Sequence, residues 1–184
     1  MITVFYEDAP GVQVTNFGPH MLALACVADR LGLERYELQR FATPVPMKGD
    51  SKLRAAIRGA NRRDLAAVFD SDKVRRLFEL DASTTDVQVT TAILEESGIR
   101  FVVLLVRNIE DIINQCCSAL RIPPPTRKPT PEERDRYLHR TAAADAGVRT
   151  QVLASSPSFA QLVDELTGAI QEAQADEIAA VLES

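Results

Sequence analysis

Carboxylates follow three of the predicted strands of this chain. Glu7 follows an N-terminal strand, and Glu110 comes just past the most apolar segment. Asp70 and Asp72 follow an uninterrupted apolar run in the middle of the chain. Because the carboxyl ends of parallel strands meet at one edge of a sheet, we expect these side chains to converge. Carboxylate oxygens bind hard cations, and Mg²⁺ commonly uses only one or two of them, so the pattern predicts a site for Mg²⁺ or Mn²⁺.

The spacing within Asp70-Ser71-Asp72 supports a shared site. Alternate residues of an extended strand face the same side, so both aspartates can address one metal ion. Like charges this close raise each other's pKa unless a cation compensates, which makes the cluster costly as a purely structural feature. In the structural alternative, Asp70 is a helix cap and Glu7 is a solvated loop residue. Asp72 and Glu110 are then first-turn acids, which the helix dipole favours.

The elements that position these carboxylates alternate along the chain between strands and helices. Apolar and β-branched runs predict the strands, and apolar residues at helical spacing predict the helices. Pro44 and Pro46 are expected to close the second strand. We expect strands over 2–7, 36–42, 64–70 and 100–106, and helices over 19–31, 51–61, 73–80, 86–97 and 109–120.

The order of these elements predicts an α/β fold with a mainly parallel central sheet of about four strands, flanked by helices. A proline-rich connector over 122–129 leads into a helical C-terminal part. The helices expected there cover 131–146, 158–171 and 175–182. We expect one domain over 1–184, divided into an α/β core over 1–121 and a connector with a helical extension over 122–184.

The composition narrows the class of protein. With 184 residues, 46% of them hydrophobic, the chain can bury the core of one globular domain. The net charge of −5 gives no general attraction for nucleic acid, although basic residues cluster around the Asp70 strand. Cys26, Cys116 and Cys117 have neither the pairing nor the spacing of disulfides or a zinc site, which predicts a reducing, cytoplasmic setting. We find no targeting segment and no apolar run of membrane-spanning length.

The other reactive residue types carry weaker signals. His20 and His139 lie far apart in the sequence and are expected to be structural or exposed. Cys116 and Cys117 lie within a predicted helix, where one thiol is expected to pack inward as a small apolar group. The chain has eight glycines and no G-x-x-x-x-G-K-[ST] segment, which argues against a P-loop enzyme.

The motifs that carry the carboxylates resemble a known family. An N-terminal strand ends in Glu7, with Gly11 nearby, and a later apolar strand ends in the Asp-x-Asp motif of Asp70 and Asp72. This arrangement resembles the TOPRIM fold, which type IA and type II topoisomerases share with bacterial primases, OLD-family nucleases and small stand-alone proteins. The resemblance implies an α/β core built around a metal site.

Further segments extend the resemblance over about residues 2–115. The segment 101–110 is similar to the strand that leads to a further acidic residue in the nuclease branch. The helix start at 156–159 is similar to the ending of some stand-alone members. The family's usual Glu-Gly dipeptide is here Glu7-Asp8, with the glycine displaced along the loop. The separation of 63 residues between the first glutamate and the Asp-x-Asp motif fits the OLD-like branch better than the primases.

By this resemblance, the protein is a Mg²⁺-dependent or Mn²⁺-dependent nuclease that cleaves phosphodiester bonds of DNA or RNA. Glu7 is the implied general acid/base or a metal ligand. Asp70 and Asp72 are the implied Mg²⁺ ligands, and Glu110 helps a second ion. Lys73 is the implied catalytic lysine that contacts phosphate.

The resemblance also implies binding partners. The residues implied to contact nucleic acid are Arg75, Arg76 and Arg107. A compact acidic domain has little surface for gripping DNA alone, so a partner ATPase is expected to assist, and a homo-oligomer is possible. The OLD-like branch further implies a role in a defence system.

Two alternatives remain open. In the first, the chain keeps the TOPRIM fold but is a regulatory or interaction protein without catalytic activity, and it contacts its partner through an apolar helical stripe. That stripe consists of Phe159, Leu162, Val163, Leu166 and Ile170, and core packing explains it more simply. In the second, the run 68–74 matches the Asp-x-Asp motif of haloacid-dehalogenase phosphatases. That family usually opens its domain with this strand and later adds an acidic pair, and neither feature is evident in this sequence.

Overall fold

A four-stranded parallel sheet organises the protein, and it confirms the predicted fold class. The computed structural model describes residues 1–8, 16–106 and 108–182. The strands are β1 (Ile2–Tyr6), β2 (Ala42–Pro46), β3 (Leu65–Asp70) and β4 (Phe101–Leu105), in the spatial order β2-β1-β3-β4. All three strand pairs are parallel, so the four carboxyl ends lie at one edge of the sheet.

Helices cover both faces of this sheet. They are α1 (Gly18–Leu31), α2 (Arg35–Leu38), α3 (Asp50–Ile57), α4 (Ser71–Leu77), α5 (Asp86–Ser97), α6 (Asn108–Ala119), α7 (Pro131–Ala142), α8 (Ala146–Ser155) and α9 (Pro157–Leu182). One hydrophobic cluster joins the sheet to α1, α6, α7, α8 and α9, and a second joins it to α3, α4 and α5. Along β3, Ala66 and Val68 belong to the first cluster, whereas Ala67 and Phe69 belong to the second. This double coverage explains why β3 is an uninterrupted apolar run.

The second strand lies later in the chain than the sequence pattern indicated. The prediction over 36–42 is wrong, because part of that segment forms α2 and the strand begins at Ala42. The two prolines are tolerated because β2 is an edge strand, hydrogen-bonded to β1 alone within the described sheet. The N–H of Met47 donates to the carbonyl of Tyr6 at 2.7 Å, so Pro44 and Pro46, which alternate with it, turn their ring nitrogens away from β1.

The C-terminal helices also differ from the expected ones. The helix predicted over 131–146 ends at Ala142, and the sequence pattern missed α8 entirely. Asp145 separates the two helices, because its carboxylate accepts a hydrogen bond from the N–H of Val148 and caps α8. The two helices predicted over 158–171 and 175–182 form the single 26-residue helix α9.

The apolar stripe of α9 is part of the core. Its five residues, Phe159, Leu162, Val163, Leu166 and Ile170, are all completely buried in the first hydrophobic cluster. The hypothesis that this stripe contacts a partner protein is therefore wrong, and the simpler explanation by core packing is confirmed. Within the described segments, we find no helix with the length and apolar character needed to span a membrane.

The start of α1 approaches α7 closely at Gly18. The N–H of Gly18 donates to Oδ1 of Asp135 at 3.0 Å, and both residues are buried. A Cβ atom at position 18 would lie 2.6 Å from that oxygen and 2.9 Å from the Asp135 Cα. A side chain of any size therefore forces α1 and α7 apart.

Replacing Gly18 by alanine is expected to destabilise the protein by about 2 kcal/mol, the usual cost of overpacking a tight contact. Urea unfolding monitored by circular dichroism measures this loss. Gly168→Ala in α9 is the matched control, because no neighbouring atom lies within 4 Å of its Cβ position. That variant should gain up to about 1 kcal/mol from helix propensity. Equal stability of the two variants would contradict the close approach of α1 to α7.

Candidate functional site

The candidate site lies at the carboxyl edge of the sheet, where the strand order changes direction. From β1 the chain passes to β2 on one side, and then to β3 and β4 on the other. Open parallel sheets bind ligands at such a switch point, because the flanking connections diverge there and leave a crevice. Glu7 follows β1 directly and Asp70 ends β3, so these two predicted site residues lie at the switch point.

Three hydrogen bonds fix Glu7 between β3 and the segment after β2. Its N–H donates to the carbonyl of Val68, and its own carbonyl accepts from the N–H of Gly49, both at 3.1 Å. Its Oε2 accepts from the backbone N–H of Asp70 at 2.9 Å. Burial raises the pKa of the Glu7 carboxyl, and the hydrogen bond from Asp70 opposes this effect. Glu7 is therefore a fixed, half-buried carboxylate and not the solvated loop residue of the structural alternative.

Asp70 is the most strongly perturbed carboxylate of the cleft. It lies at the N-cap position of α4, but within the described part of the chain its side chain makes no capping hydrogen bond. Burial raises its pKa to about 7, and the charges of Glu7, Asp72 and Glu110 add to this effect. The positive charge of Lys73 acts in the opposite direction. The structure therefore does not support the helix-cap explanation of Asp70, and it places three further carboxylates within electrostatic range of Asp70.

Asp72 reaches the cleft by a different geometry from the expected one. The strand ends at Asp70 and α4 begins at Ser71, so the extended alternation predicted for the two aspartates is wrong. Asp72 lies instead in the first turn of α4, where the helix dipole favours an acid. It still lines the same cleft as Glu7 and Asp70, because α4 starts at the carboxyl edge of the sheet.

Cationic side chains face these acids across a cleft of about 540 Å³. Within the described segments they are Lys48, Lys73, Lys128 and Arg134. Lys128 Nζ lies 2.9 Å from Oε1 of Glu110, and this contact raises the pKa of Lys128. Arg134 forms an ion pair with Asp8, and burial lowers its pKa. The cleft thus holds lysines and carboxylates together, as a site for phosphate and a cation requires.

The sequence pattern did not place Lys48, Lys128 or Arg134 at this site. Lys48 was missed because the second strand was predicted too early in the chain. Since β2 ends at Pro46, Lys48 lies just past the carboxyl end of this strand. Lys128 and Arg134 come from the proline-rich connector and α7, far along the chain from the carboxylates. In the sequence, both belong to a second group of basic residues, which consists of Arg121, Arg127, Lys128, Arg134, Arg136 and Arg140.

The donor set of the cleft fits a hydrated hard cation. All the acidic groups offer oxygen, the donor that Mg²⁺ and Mn²⁺ prefer. Within residues 1–8, 16–106 and 108–182, however, no three His, Cys, Asp or Glu side chains are arranged as a ready-made metal cage. Mg²⁺ usually keeps several waters and binds one or two carboxylates, so the arrangement fits such a partial site.

The arginines predicted to bind nucleic acid lie in different surroundings. Arg75 donates to the carbonyl of Thr84 at 2.7 Å and to Oδ1 of Asp86 at 2.5 Å, so its guanidinium joins α4 to the start of α5. Arg76 is exposed on α4. Arg107 lies outside the residues that the structure describes. Gly11, the glycine displaced from the usual Glu-Gly dipeptide, also lies outside them.

His20 lies in the core, as expected, and is paired with Tyr6. Its Nε2 lies 3.2 Å from the Ala42 carbonyl, to which it donates, and its Nδ1 accepts from the Tyr6 hydroxyl at 2.9 Å. Burial lowers the pKa of His20 to about 4, so the ring is neutral at neutral pH. Nε2 of the half-buried His139 donates to the carbonyl of Asn16 at 2.7 Å. Both histidines therefore have structural contacts away from the cleft.

The cysteines are also core residues. Cys26, Cys116 and Cys117 are buried and carry free thiols. Burial raises the pKa of Cys26 and of Cys116 to about 12, and it also raises the pKa of Cys117. Thiols in this state are poor nucleophiles, which agrees with a packing role for all three.

Comparisons with known proteins add little to this description. No protein-family model and no curated protein matches the sequence. Among solved structures, the chain is similar to the C-terminal region of the OLD protein from Xanthomonas campestris pv. campestris. The two are 15% identical, and the match covers 95% of this chain and 97% of that chain with a TM-score of 0.39. At that score the likeness assigns no function, so the functional argument depends on the cleft itself.

Proposed function

We propose that this protein is a Mg²⁺-dependent nuclease of the TOPRIM type that hydrolyses phosphodiester bonds in DNA or RNA. The observation that carries the proposal is the convergence of Glu7 and Asp70 at the switch point of the sheet, with Asp72 and Glu110 close enough to raise the pKa of Asp70. Like charges around a largely buried carboxylate are costly unless a cation or a basic group compensates them. The Glu and Asp-x-Asp motifs that resemble the TOPRIM family supply these same residues.

Three of the carboxylates have assigned roles in this proposal. Asp70 and Asp72 hold the cation, which when bound supplies positive charge beside the phosphate and acidifies a water molecule. Glu7 takes up the proton of the attacking water or contacts the cation. Its Oε2 is held by the N–H of Asp70, which fixes the carboxylate and leaves Oε1 for this task. Its raised pKa makes it a stronger base than an ordinary glutamate.

Lysines complete the site in this proposal. Lys73, next to Asp72 at the start of α4, binds the phosphate and balances the negative charge of the acids. Lys128 neutralises Glu110 through their 2.9 Å contact. We propose that Lys128 thereby takes over part of the charge balance that a second metal ion supplies in two-metal nucleases. A partner ATPase and a homo-oligomer remain predictions of the family resemblance.

Replacing Glu7 by glutamine is expected to reduce cleavage of single-stranded and double-stranded DNA and RNA by about 100-fold to 10,000-fold, the usual contribution of a general acid or base. Glutamine keeps the hydrogen bond from the Asp70 N–H but cannot take up a proton. Gel-based cleavage assays with Mg²⁺ or Mn²⁺ measure the rate. Glu95→Gln, on the exposed face of α5, is the matched control and should cleave at the wild-type rate. Unchanged cleavage by the Glu7 variant would remove Glu7 from the proposed mechanism.

One observation favours a second candidate function, a regulatory protein that binds a cation without catalysis. Lys128 neutralises Glu110, which leaves less negative charge for the second ion that two-metal nucleases use. In that case the wild-type protein binds Mg²⁺ but cleaves none of the four nucleic-acid substrates. Cleavage that depends on Glu7 excludes this candidate.

A further inference from the structure

Charge is distributed very unevenly along this acidic protein. Residues 48–76 contain nine Lys and Arg against four Asp and Glu, so this segment has a net charge of +5. Since the whole chain has a net charge of −5, the remaining residues together carry −10. The positive segment forms α3, β3 and α4, and β3 is buried within the sheet. Its exposed charge therefore lies on the two helices and the turns beside them.

The two helices lie side by side on one face of the sheet, and both begin at the cleft. The guanidinium of Arg54 in α3 stacks over the Phe78 ring at 4.6 Å and donates to the carbonyl of Leu77 at the end of α4. Lys48, just before α3, and Lys73, in the first turn of α4, both line the cleft. Both helices then lead away from the carboxyl edge, so their shared outer face is continuous with the cleft.

Exposed cations predominate on this outer face, which we call the α3–α4 face. Lys48, Lys52, Arg58, Lys73 and Arg76 are all exposed. Among the acids near this face, Asp72 at the start of α4 is exposed and lines the cleft, whereas Asp50 and Glu96 are engaged within the protein. Asp50 accepts from the N–H of Ser51 at 2.8 Å, and the single carboxylate of Glu96 is shared by Arg54 and Arg58. Glu79 lies beyond the end of α4.

The dimensions of the face suit a polyanion. Helix α3 has eight residues, Asp50–Ile57, and is therefore about 12 Å long at 1.5 Å per residue. Successive phosphates on one strand of a duplex advance about 3.4 Å along its axis, so a face of this length can contact more than one of them. The exposed residues Ala55 and Ala56 have short side chains that allow close approach.

We propose that the α3–α4 face binds the sugar-phosphate backbone of a nucleic acid and directs it into the carboxylate cleft. This inference rests on the proposed function, because continuity with a site for phosphodiester cleavage favours nucleic acid over an anionic membrane surface. The binding is electrostatic and does not depend on base sequence. It also explains how a protein with a net charge of −5 engages nucleic acid, since the local charge of the face is positive.

Fluorescence anisotropy with a labelled 20-nucleotide single strand and the matching duplex tests this inference. EDTA is present, so that binding is measured without cleavage. The variant Lys52→Gln with Arg76→Gln removes two charges from the face. We expect the dissociation constant to rise about 10-fold at 0.1 M salt, and the slope of its logarithm against log salt to fall by about 2. The control Arg136→Gln with Arg140→Gln removes two exposed charges from α7, which packs in the cluster on the other side of the sheet, and should bind as wild type.

The outcomes separate this inference from the proposed function. Weakened binding by the α3–α4 variant alone supports the inference, even if the wild-type protein cleaves nothing when Mg²⁺ is added. Equal losses in both variants, or wild-type binding by the α3–α4 variant, would overturn it. Wild-type protein that binds phosphatidylserine vesicles but neither nucleic acid would overturn it as well. Cleavage that needs Glu7, together with wild-type affinity of the α3–α4 variant, would leave the nuclease in place and remove this docking face.

Discussion

Replacing Asp70 by asparagine should stabilise the metal-free protein at pH 8 and abolish metal-dependent cleavage. The folded state raises the pKa of Asp70 from 3.8 to about 7. Between these values the folded protein holds a proton that the unfolded chain has lost, so this group's contribution to stability falls as pH rises from about 4 through about 7. At pH 8 the wild-type protein bears the full cost of a buried, repelled charge, and the variant does not. At 1.36 kcal/mol per pKa unit this cost is about 4 kcal/mol. Burying the asparagine amide offsets part of it, so we expect a net gain of about 2 kcal/mol at pH 8 that disappears near pH 4.

Adding Mg²⁺ should reverse the order of stability of the two proteins. A ligand at 100 times its dissociation constant stabilises the folded state by about 2.7 kcal/mol. Wild-type protein should therefore melt at a higher temperature in saturating Mg²⁺ or Mn²⁺, whereas the variant should respond little. Cleavage should fall by at least about 1,000-fold, because the cation is no longer held.

Asp176→Asn, on the exposed end of α9, is the matched control and should behave as wild type in melting and cleavage. Differential scanning fluorimetry with and without Mg²⁺ provides the melting temperatures. If Mg²⁺ stabilises wild type and the Asp70 variant equally, Asp70 is not a metal ligand. If the metal-free variant is no more stable than wild type at pH 8, the repulsion attributed to the acidic cluster is absent.

The buried His20 should make the protein acid-labile, and the Asp70→Asn background should reveal the effect. Burial lowers the pKa of His20 from 6.5 to about 4. Between these values the unfolded chain binds a proton that the folded protein excludes, so stability is fully present above pH 6.5 and declines as pH falls toward 4. The decline amounts to about 3 kcal/mol at 1.36 kcal/mol per pKa unit. In the wild-type protein, the contribution of Asp70 to stability increases as pH falls from 7 to 4, and it offsets much of the decline caused by His20.

Urea unfolding of Asp70→Asn at pH 7 and pH 4.5 measures this decline directly. A control on the same background replaces Tyr6 by Phe and His20 by Leu, which removes both members of the buried hydrogen bond between the two rings. Removing both partners limits the cost of leaving either one unsatisfied. This control should lose most of the pH dependence. A decline of the same size in the control would assign the acid lability to other groups.

The sequence was sufficient to predict those parts of the fold that depend on local apolar pattern. The runs that became β1, β3 and β4 are rich in residues that suit buried parallel strands, and their order alone predicted the sheet. The strand β2 was displaced because prolines normally end strands, and only the position at the sheet edge makes Pro44 and Pro46 acceptable. The helix α8 was missed because its start depends on the Asp145 cap and not on a strong apolar face.

Only those residues of the candidate site that directly follow or end a strand could be predicted from the sequence. Glu7 and Asp70 were found in this way, since parallel strands must end at one edge. Lys128 was not found, because the path of a proline-rich connector over the cleft depends on the packing of α7 against α1. Arg75 was predicted to contact nucleic acid, but its guanidinium donates hydrogen bonds to Thr84 and Asp86. These contacts depend on tertiary packing and could not be predicted from the sequence.

The two prolines of β2 also limit how copies of this protein can associate. An edge strand normally exposes a row of N–H and C=O groups that recruits a strand from another molecule. Here the outward positions of β2 include Pro44 and Pro46, which have no N–H to donate, so a neighbour could not add a fifth strand there in regular register. Any homo-oligomer must therefore assemble through helix faces or through the opposite margin of the sheet. The two prolines also oppose aggregation by β-pairing between molecules along the β2 edge when the protein is concentrated.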